Sequence, residues 1–204
     1  RQLSGTIQPS KYAEMYIKNV NDRIIKMIKK LGIENAAVFM QGFVDGNTVR
    51  MYDPGIRFPG NEYERIFTKA TGLNPMKSFI KYFITGTLDD YEGKYEGSYN
   101  LSGLCAIQYM INVRKGTIAK FDGLDEILKH PNVVHVSQKK YVGDVVENTG
   151  DIKHRAGEIS VLCDRTSGEI AEIIKYIQSK LVIQDENGKN MIISPLDSKV
   201  AQNY

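Results

Sequence analysis

The chain has 204 residues, 42% hydrophobic and 25% charged, a composition that agrees with an ordinary folded protein of one large or two small cores. Lys+Arg 27 against Asp+Glu 24 leaves +3, too even a balance to argue for nucleic acid or an anionic membrane as a partner. No segment approaches the roughly 18 consecutive apolar residues of a membrane span, and no signal peptide is recognisable, so a cytoplasmic setting is the expectation.

The first ten residues read as a linker or a severed strand ending at Pro9-Ser10. Ser10 is a good N-cap, and Tyr12, Met15, Tyr16, Val20, Ile24, Met27 and Leu31 follow at helical spacing. Asn21-Asp22 is a point where this run can break into two helices, and Gly32 ends it. Residues 36–53 form two apolar, β-prone runs around Asp45-Gly46-Asn47, which reads as a hairpin. A helix is expected over 62–70, with Tyr63, Ile66, Phe67 and Ala70 inward and Gly72 closing it. Asn74-Pro75 starts another, Asn at the cap and Pro at the first helical position, and Gly86 lies past its end.

Residues 89–103 are polar, rich in Gly and Tyr, and without periodicity, so the chain divides there into domains 1–92 and 93–204. Beyond it, 104–113 reads as a long strand that returns through Arg114-Lys115-Gly116 into 117–121. A short helix (123–129), a strand (133–138), turns at Gly143-Asp144 and Thr149-Gly150-Asp151, and a strand (158–164) follow. Thr166 and Glu169 form a capping-box pair for a helix burying Ile170, Ile173, Ile174, Ile177 and Leu181. A hairpin of 182–184 and 191–193 turns at Glu186-Asn187-Gly188. Cys105 and Cys163 stand alone in apolar strand-like runs without metal-ligand spacing, so they are expected as buried thiols in a reducing compartment.

The chemistry-bearing stretch is 38–60, VFMQGFVDGNTVRMYDPGIRFPG. Gln41 interrupts one apolar run, and Phe43 lies two residues on, on the same face. In the other run Asp53, Gly55 and Arg57 occupy alternate positions, which on a strand puts an acid and a guanidinium on one face. An acid, a cation and a second oxygen ligand on the neighbouring strand are what a magnesium–phosphate site needs.

This stretch resembles the second half of the ATP-grasp catalytic domain, as in biotin carboxylase and the large chain of carbamoyl-phosphate synthase. That family carries a Glu, about a dozen residues of hairpin, and then Glu-x-Asn-x-Arg. Here Gln41 stands at the first Glu, Asp53 at the second, Gly55 at the Asn and Arg57 at the Arg. Ala70-Thr71-Gly72-Leu73-Asn74 and Phe83-Ile84-Thr85-Gly86 are similar to the helix pair that follows. The likeness is good over about the first hundred residues and looser beyond.

The resemblance implies an α+β fold, an ATP-grasp C-terminal lobe of antiparallel sheet and helices followed by a smaller α+β domain. It implies ATP and Mg2+ as cofactors, with Asp53 and Gln41 at the metal, Gln41, Phe43 and Asp53 at the nucleotide, and Arg57 as the catalytic residue. The reaction implied is that of an ATP-dependent carboxylate–amine ligase forming an acyl phosphate. No glycine-rich phosphate loop is found, and the chain opens at Arg1 without an initiator Met, so a fragment of a longer enzyme is expected. Carboxylate and amine substrates would reach the site through a missing N-terminal half, and self-association into a homo-oligomer is left open.

Two alternatives stand beside this one. Neutral Gln41 and side-chain-free Gly55 fit a degenerate module that binds nucleotide or a partner subunit without chemistry. Alternatively, Asp53-Pro54-Gly55 is an ordinary turn in an unrelated α+β domain. Of the histidines, His130 marks a helix end, His135 is expected to face solvent, and His154-Arg155 lies in a polar loop; none forms a zinc cluster with cysteine.

Overall fold

The computed structural model describes residues 3–34, 36–87, 101–147, 152–165 and 168–201. The architecture is α+β with antiparallel sheets, as expected. Two compact units divide the chain: Pro9–Tyr99, and Arg1–Gln8 together with Asn100–Tyr204. The expected boundary at 92/93 lies outside the described residues. At the other end the division differs from the expectation, because strand β1 (Gly5–Gln8) belongs to the second unit rather than the first.

In the unit that starts at Pro9, helix α1 (Ala13–Tyr16) runs through a π-helical turn at Ile17–Asn21 into α2 (Asp22–Lys30). The N-cap is Tyr12 rather than the expected Ser10, whose Oγ accepts from the Tyr12 amide at 3.2 Å in the turn before the helix; Gly32 adopts φ +67 just past its far end, as the spacing predicts. The Asn21-Asp22 interruption is thus a π-turn rather than a break. Strands β2 (Phe39–Asp45) and β3 (Thr48–Gly55) pair antiparallel as a two-stranded sheet. Asp45 faces Thr48 across a two-residue connection in which Gly46 takes positive φ. Helix α3 (Tyr63–Thr71) ends at Gly72, and α4 (Pro75–Thr85) ends at Gly86, both left-handed. Asn74 Oδ1 accepts from the Lys77 amide at 2.9 Å, which is the cap the sequence predicts.

The second unit is built on β4 (Leu104–Val113), whose residues 105–113 are all buried. The expected hairpin from β4 into 117–121 does not form. A strand buried on both faces is central and takes partners on both edges, and β4 pairs with β1 on one side and β9 (Arg155–Asp164) on the other. The residues after the turn go elsewhere: β5 (Gly116–Thr117) pairs with β8 (Val145–Val146), and β6 (Lys120–Asp122) pairs with β10 (Val182–Gln184). Helix α5 (Leu124–Leu128) precedes β7 (Val133–Gln138), which lies on the far side of β9, giving the order β1-β4-β9-β7.

Helix α6 (Glu169–Lys180) buries Ile170, Ile173, Ile174 and Ile177 in one core with Ile107, Ile111, Ile159 and Val161 of the sheet. Its N-cap is Gly168; the Thr166 half of the expected capping box lies outside the described residues, as does the Thr149-Gly150-Asp151 turn. After a turn at Asp185–Lys189, β11 (Ile192–Ile193) joins the edge of β4 beside β1, and α7 (Ser198–Ala201) follows.

Cys105 and Cys163 face each other across β4 and β9 as free, buried thiols. Burial pushes the Cys105 thiol up to about 11, and burial and then neighbouring Cys105, Glu169 and Asp164 push Cys163 up to about 12. His135 is half-buried opposite Ser160 rather than solvent-facing, and His154 is buried rather than in an open polar loop. Glu158, also buried, is neutralised by Lys139 at 2.6 Å and Arg155 at 2.8 Å.

Candidate functional site

The hairpin has two unlike faces. Gln41, Phe43, Arg50 and Tyr52 share one, since Gln41 is opposite Tyr52 and Phe43 opposite Arg50. All four are exposed. Tyr52 donates its hydroxyl to Gln41 Oε1 at 2.7 Å, and its ring stacks on Phe43 at 4.6 Å with a 10° interplanar angle. Arg50 forms an ion pair with Asp45 at the turn. Met40, Gly42, Val44, Val49 and Met51 point the other way, toward α1 and α2.

The regular register ends at Asp53. Tyr52 faces Gln41 but Gly55 faces Phe39, so β3 carries one residue more than β2 between those pairs. That is a β-bulge, and Asp53 occupies it at φ +49, a left-handed conformation that a non-glycine residue adopts at a cost of about 1 kcal/mol or more. Pro54, with no amide to donate, suits the unpaired position. The bulge overturns one expectation. Asp53, Gly55 and Arg57 do not alternate along one strand face, because the left-handed residue breaks the period and β3 ends at Gly55.

Arg57 is instead folded back. A Cβ on Gly55 would sit 3.4 Å from Arg57 Cγ and 3.5 Å from Nε, so the arginine stem lies across the glycine. Its guanidinium rests 5.1 Å from the centre of the Phe39 ring, a cation–π arrangement, and Nη1 donates to the Phe58 carbonyl at 2.9 Å. Gly55 therefore provides the bed on which Arg57 lies. Asp53 and Arg57 both belong to the bulged end of the hairpin, while Gln41 and Phe43 lie along its exposed face.

Two participants escaped the reading by motif. Phe39 carries Arg57, and Tyr52 occupies the Gln41 oxygen. Tyr52 was open to discovery by counting back from the two-residue turn, which pairs positions 45/48 through 41/52. Phe39 was not, because the bulge shifts the count.

For a magnesium-bound nucleotide the donor set is lean but usable. Asp53 offers one exposed carboxylate, and Mg2+ is commonly held by one or two carboxylates with phosphate oxygens and water. Gln41 Oε1 already accepts from Tyr52, and Gly55 offers no side chain. Among the described residues no group of three or more His, Cys, Asp or Glu is placed to hold a metal by itself.

No protein-family model and no curated protein matches the sequence. Solved structures do match in shape. L-amino acid ligase from Bacillus licheniformis aligns over 92% of this chain and 45% of its own, at 20% identity and a TM-score of 0.74. Phosphoribosylglycinamide synthetase from Anaerococcus prevotii aligns over 90% of this chain and 45% of its own, at 17% identity and a TM-score of 0.74. The fold is that of the ATP-grasp ligases. The biotin carboxylase domain of 2-oxoglutarate carboxylase from Hydrogenobacter thermophilus, in complex with magnesium ADP and bicarbonate, aligns over 100% of this chain and 42% of its own, at 14% identity and a TM-score of 0.61. This chain thus spans less than half the length of the ATP-grasp chains it resembles.

Proposed function

We propose that this chain carries the phosphoryl-facing part of the active site of an ATP-dependent carboxylate–amine ligase. The reading is supported most by the bulge, which presents Asp53 in a strained conformation and lays Arg57 across Gly55 onto Phe39. Strain of this kind at an exposed acid needs a reason, and ligand binding supplies one.

In the proposed reaction the terminal phosphoryl group of ATP passes to a carboxylate oxygen, giving an acyl phosphate and ADP. An amine then attacks the acyl carbon and phosphate leaves. Asp53 would hold Mg2+ against the nucleotide phosphates; the ion supplies charge neutralisation there. Arg57 would orient and stabilise charge on the oxygens of the transferring group, its planar fork suiting phosphate and carboxylate alike. The exposed Phe43–Tyr52 stack would lie against the adenine, Phe43 nearest it, with the Gln41 amide beside them. Gln41 as a metal ligand would have to share the oxygen that Tyr52 holds. Carboxylate and amine would enter through a further polypeptide segment. The two reduced, buried thiols fit a cytoplasmic location.

The test is Arg57→Ala in a protein extended upstream to its natural start, scored by ADP release over a panel of carboxylates and amines. Turnover is expected to fall about a hundredfold or more, with Mg·ATP affinity changed far less. Equal turnover in mutant and wild type would remove Arg57 from the mechanism. The Tyr52–Gln41 hydrogen bond favours a second reading, a nucleotide-binding module without chemistry. That reading predicts Mg·ATP binding by the extended protein and no ADP release with any pair of substrates.

A further inference from the structure

We propose that Cys105 and Cys163 form a peroxide-sensitive thiol pair, which closes into a disulfide that joins β4 to β9 and stiffens the second unit. The inference goes beyond the ligase reading and does not depend on it.

The strand register places the two sulfurs. Cys105 lies directly opposite Cys163, and side chains opposed across an antiparallel pair stand on the same face of the sheet. Two positions outward, the Arg165 amide donates to the Gly103 carbonyl at 3.0 Å. Hydrogen-bonded pairs recur at every second residue of an antiparallel ladder, so Cys105 and Cys163 are such a pair too, with Cα atoms about 5.5 Å apart. Disulfides span Cα separations of about 4.4–6.8 Å, most often near 5.5–6 Å. Cys163 Sγ lies 3.7 Å from the Cys105 carbonyl oxygen, so its side chain already reaches over the opposite residue. Among the described residues no group of three or more His, Cys, Asp or Glu is placed to hold a metal, which leaves thiol chemistry to the pair.

Their place in the sheet gives an oxidant access. They are the outermost buried pair at this end of β4 and β9: Leu104 is half-buried, and Asp164 and Gly103 are exposed. Fraying of the two end pairs therefore uncovers both thiols while the rest of the core stays closed. A buried thiol is inert until such an opening, and a small oxidant needs only a brief one. Hydrogen peroxide is of that class. One thiolate attacks a peroxide oxygen, the O–O bond breaks, and a sulfenic acid and hydroxide form. The second thiol sulfur then attacks the sulfenic sulfur, the S–O bond breaks, and water leaves with the proton. In sum two thiols and one peroxide give one disulfide and two waters, the sulfurs being oxidised and the peroxide oxygens reduced. The Arg165 charge favours the thiolate of Cys105, so that sulfur is the one expected to attack first. The new bond closes a loop between positions 58 apart, which restricts the unfolded chain.

The experiment treats the folded 204-residue chain with hydrogen peroxide, alkylates the remaining thiols, and maps the peptides while recording the melting temperature. A Cys105–Cys163 cross-link within one chain is expected, together with a rise in melting temperature of about 10 °C that dithiothreitol reverses. In Cys163→Ala the reaction should stop at a Cys105 sulfenic acid, trapped by a cyclic diketone, with no such rise. A reversible rise of the same size in that variant would overturn the proposal by assigning it to another group. If the variant does not fold, the wild-type peptide map still decides. Full alkylation of both cysteines after peroxide would overturn the proposal, as would a cross-link found only between chains. So would a disulfide within the chain that leaves the melting temperature unchanged or lowers it.

Discussion

Asp53 offers a test in which stability and binding should move in opposite directions. At φ +49 an L-residue sits about 1–2 kcal/mol above its preferred backbone region, aspartate toward the lower end of that range. Asp53→Gly removes that strain and returns about half of the gain to the greater freedom of glycine in the unfolded chain. The net is about 0.5 kcal/mol of added stability, or 1–2 °C in melting temperature for a protein of roughly this size. Asp53→Asn keeps the tolerance for the left-handed region and loses only the charge. Both variants remove the carboxylate proposed for the metal, an interaction worth at least that of a charged hydrogen bond, about 1.5–3 kcal/mol. Magnesium-dependent ATP affinity should therefore drop about ten- to a hundredfold in each. Scanning calorimetry and isothermal titration of the upstream-extended protein, with and without magnesium, read both quantities. Unchanged magnesium-dependent affinity in both variants would reduce Asp53 to a turn residue. Loss of stability in the glycine variant would show that the carboxylate itself holds the bulge.

Two further predictions concern the second unit. Gly123 has φ +98, and a Cβ there would lie 2.1 Å from the Lys180 carbonyl oxygen, so Gly123→Ala should destabilise by several kcal/mol, read as a lower urea midpoint, whereas an unchanged midpoint would mean the α6 terminus moves freely. Alkaline pH should weaken the same unit through its thiols. Their pKa values are raised from 9.0 to about 11 and about 12, so the stabilisation is fully present below pH 9 and is lost as pH rises through the folded-state values. Urea midpoints between pH 8 and pH 11 should fall with a slope of up to about 1.4 kcal/mol per unit per thiol. Replacing both cysteines by alanine should flatten that part of the profile, and an equally steep profile would assign it to other groups.

Local signals were the legible part of this protein. Gly46, Gly72 and Gly86 adopt the positive φ their places in the pattern require, and Asn74 caps its helix, because each choice depends on a few adjacent residues. The apolar spacing of 170–177 marked a core face for the same reason. Misreadings came where partners are distant in sequence. The run at 104–113 shows itself as a strand, but its neighbours are residues 5–8 and 155–164, not the segment just past its turn. His135 is half-buried beside Ser160 of β9, a neighbour distant in sequence, and His154 is buried, neither of which composition reports.

The site divides in the same way. Asp53 and Arg57 are proposed from residue type and spacing, since an acid and an arginine near a Pro-Gly step are visible in one dimension. Their presentation was not, because a single extra residue on β3 converts an alternating face into a bulge, and that count exists only once β2 is laid beside β3. By itself the sequence determined the elements, the turns and the candidate residues, through preferences that act over a few bonds. Only tertiary structure decided which strands pair, that Arg57 lies on Phe39 across Gly55, and that β4, β9 and α6 share one core. Those outcomes depend on which surfaces lose water together, and surfaces far apart along the chain meet only when it has folded.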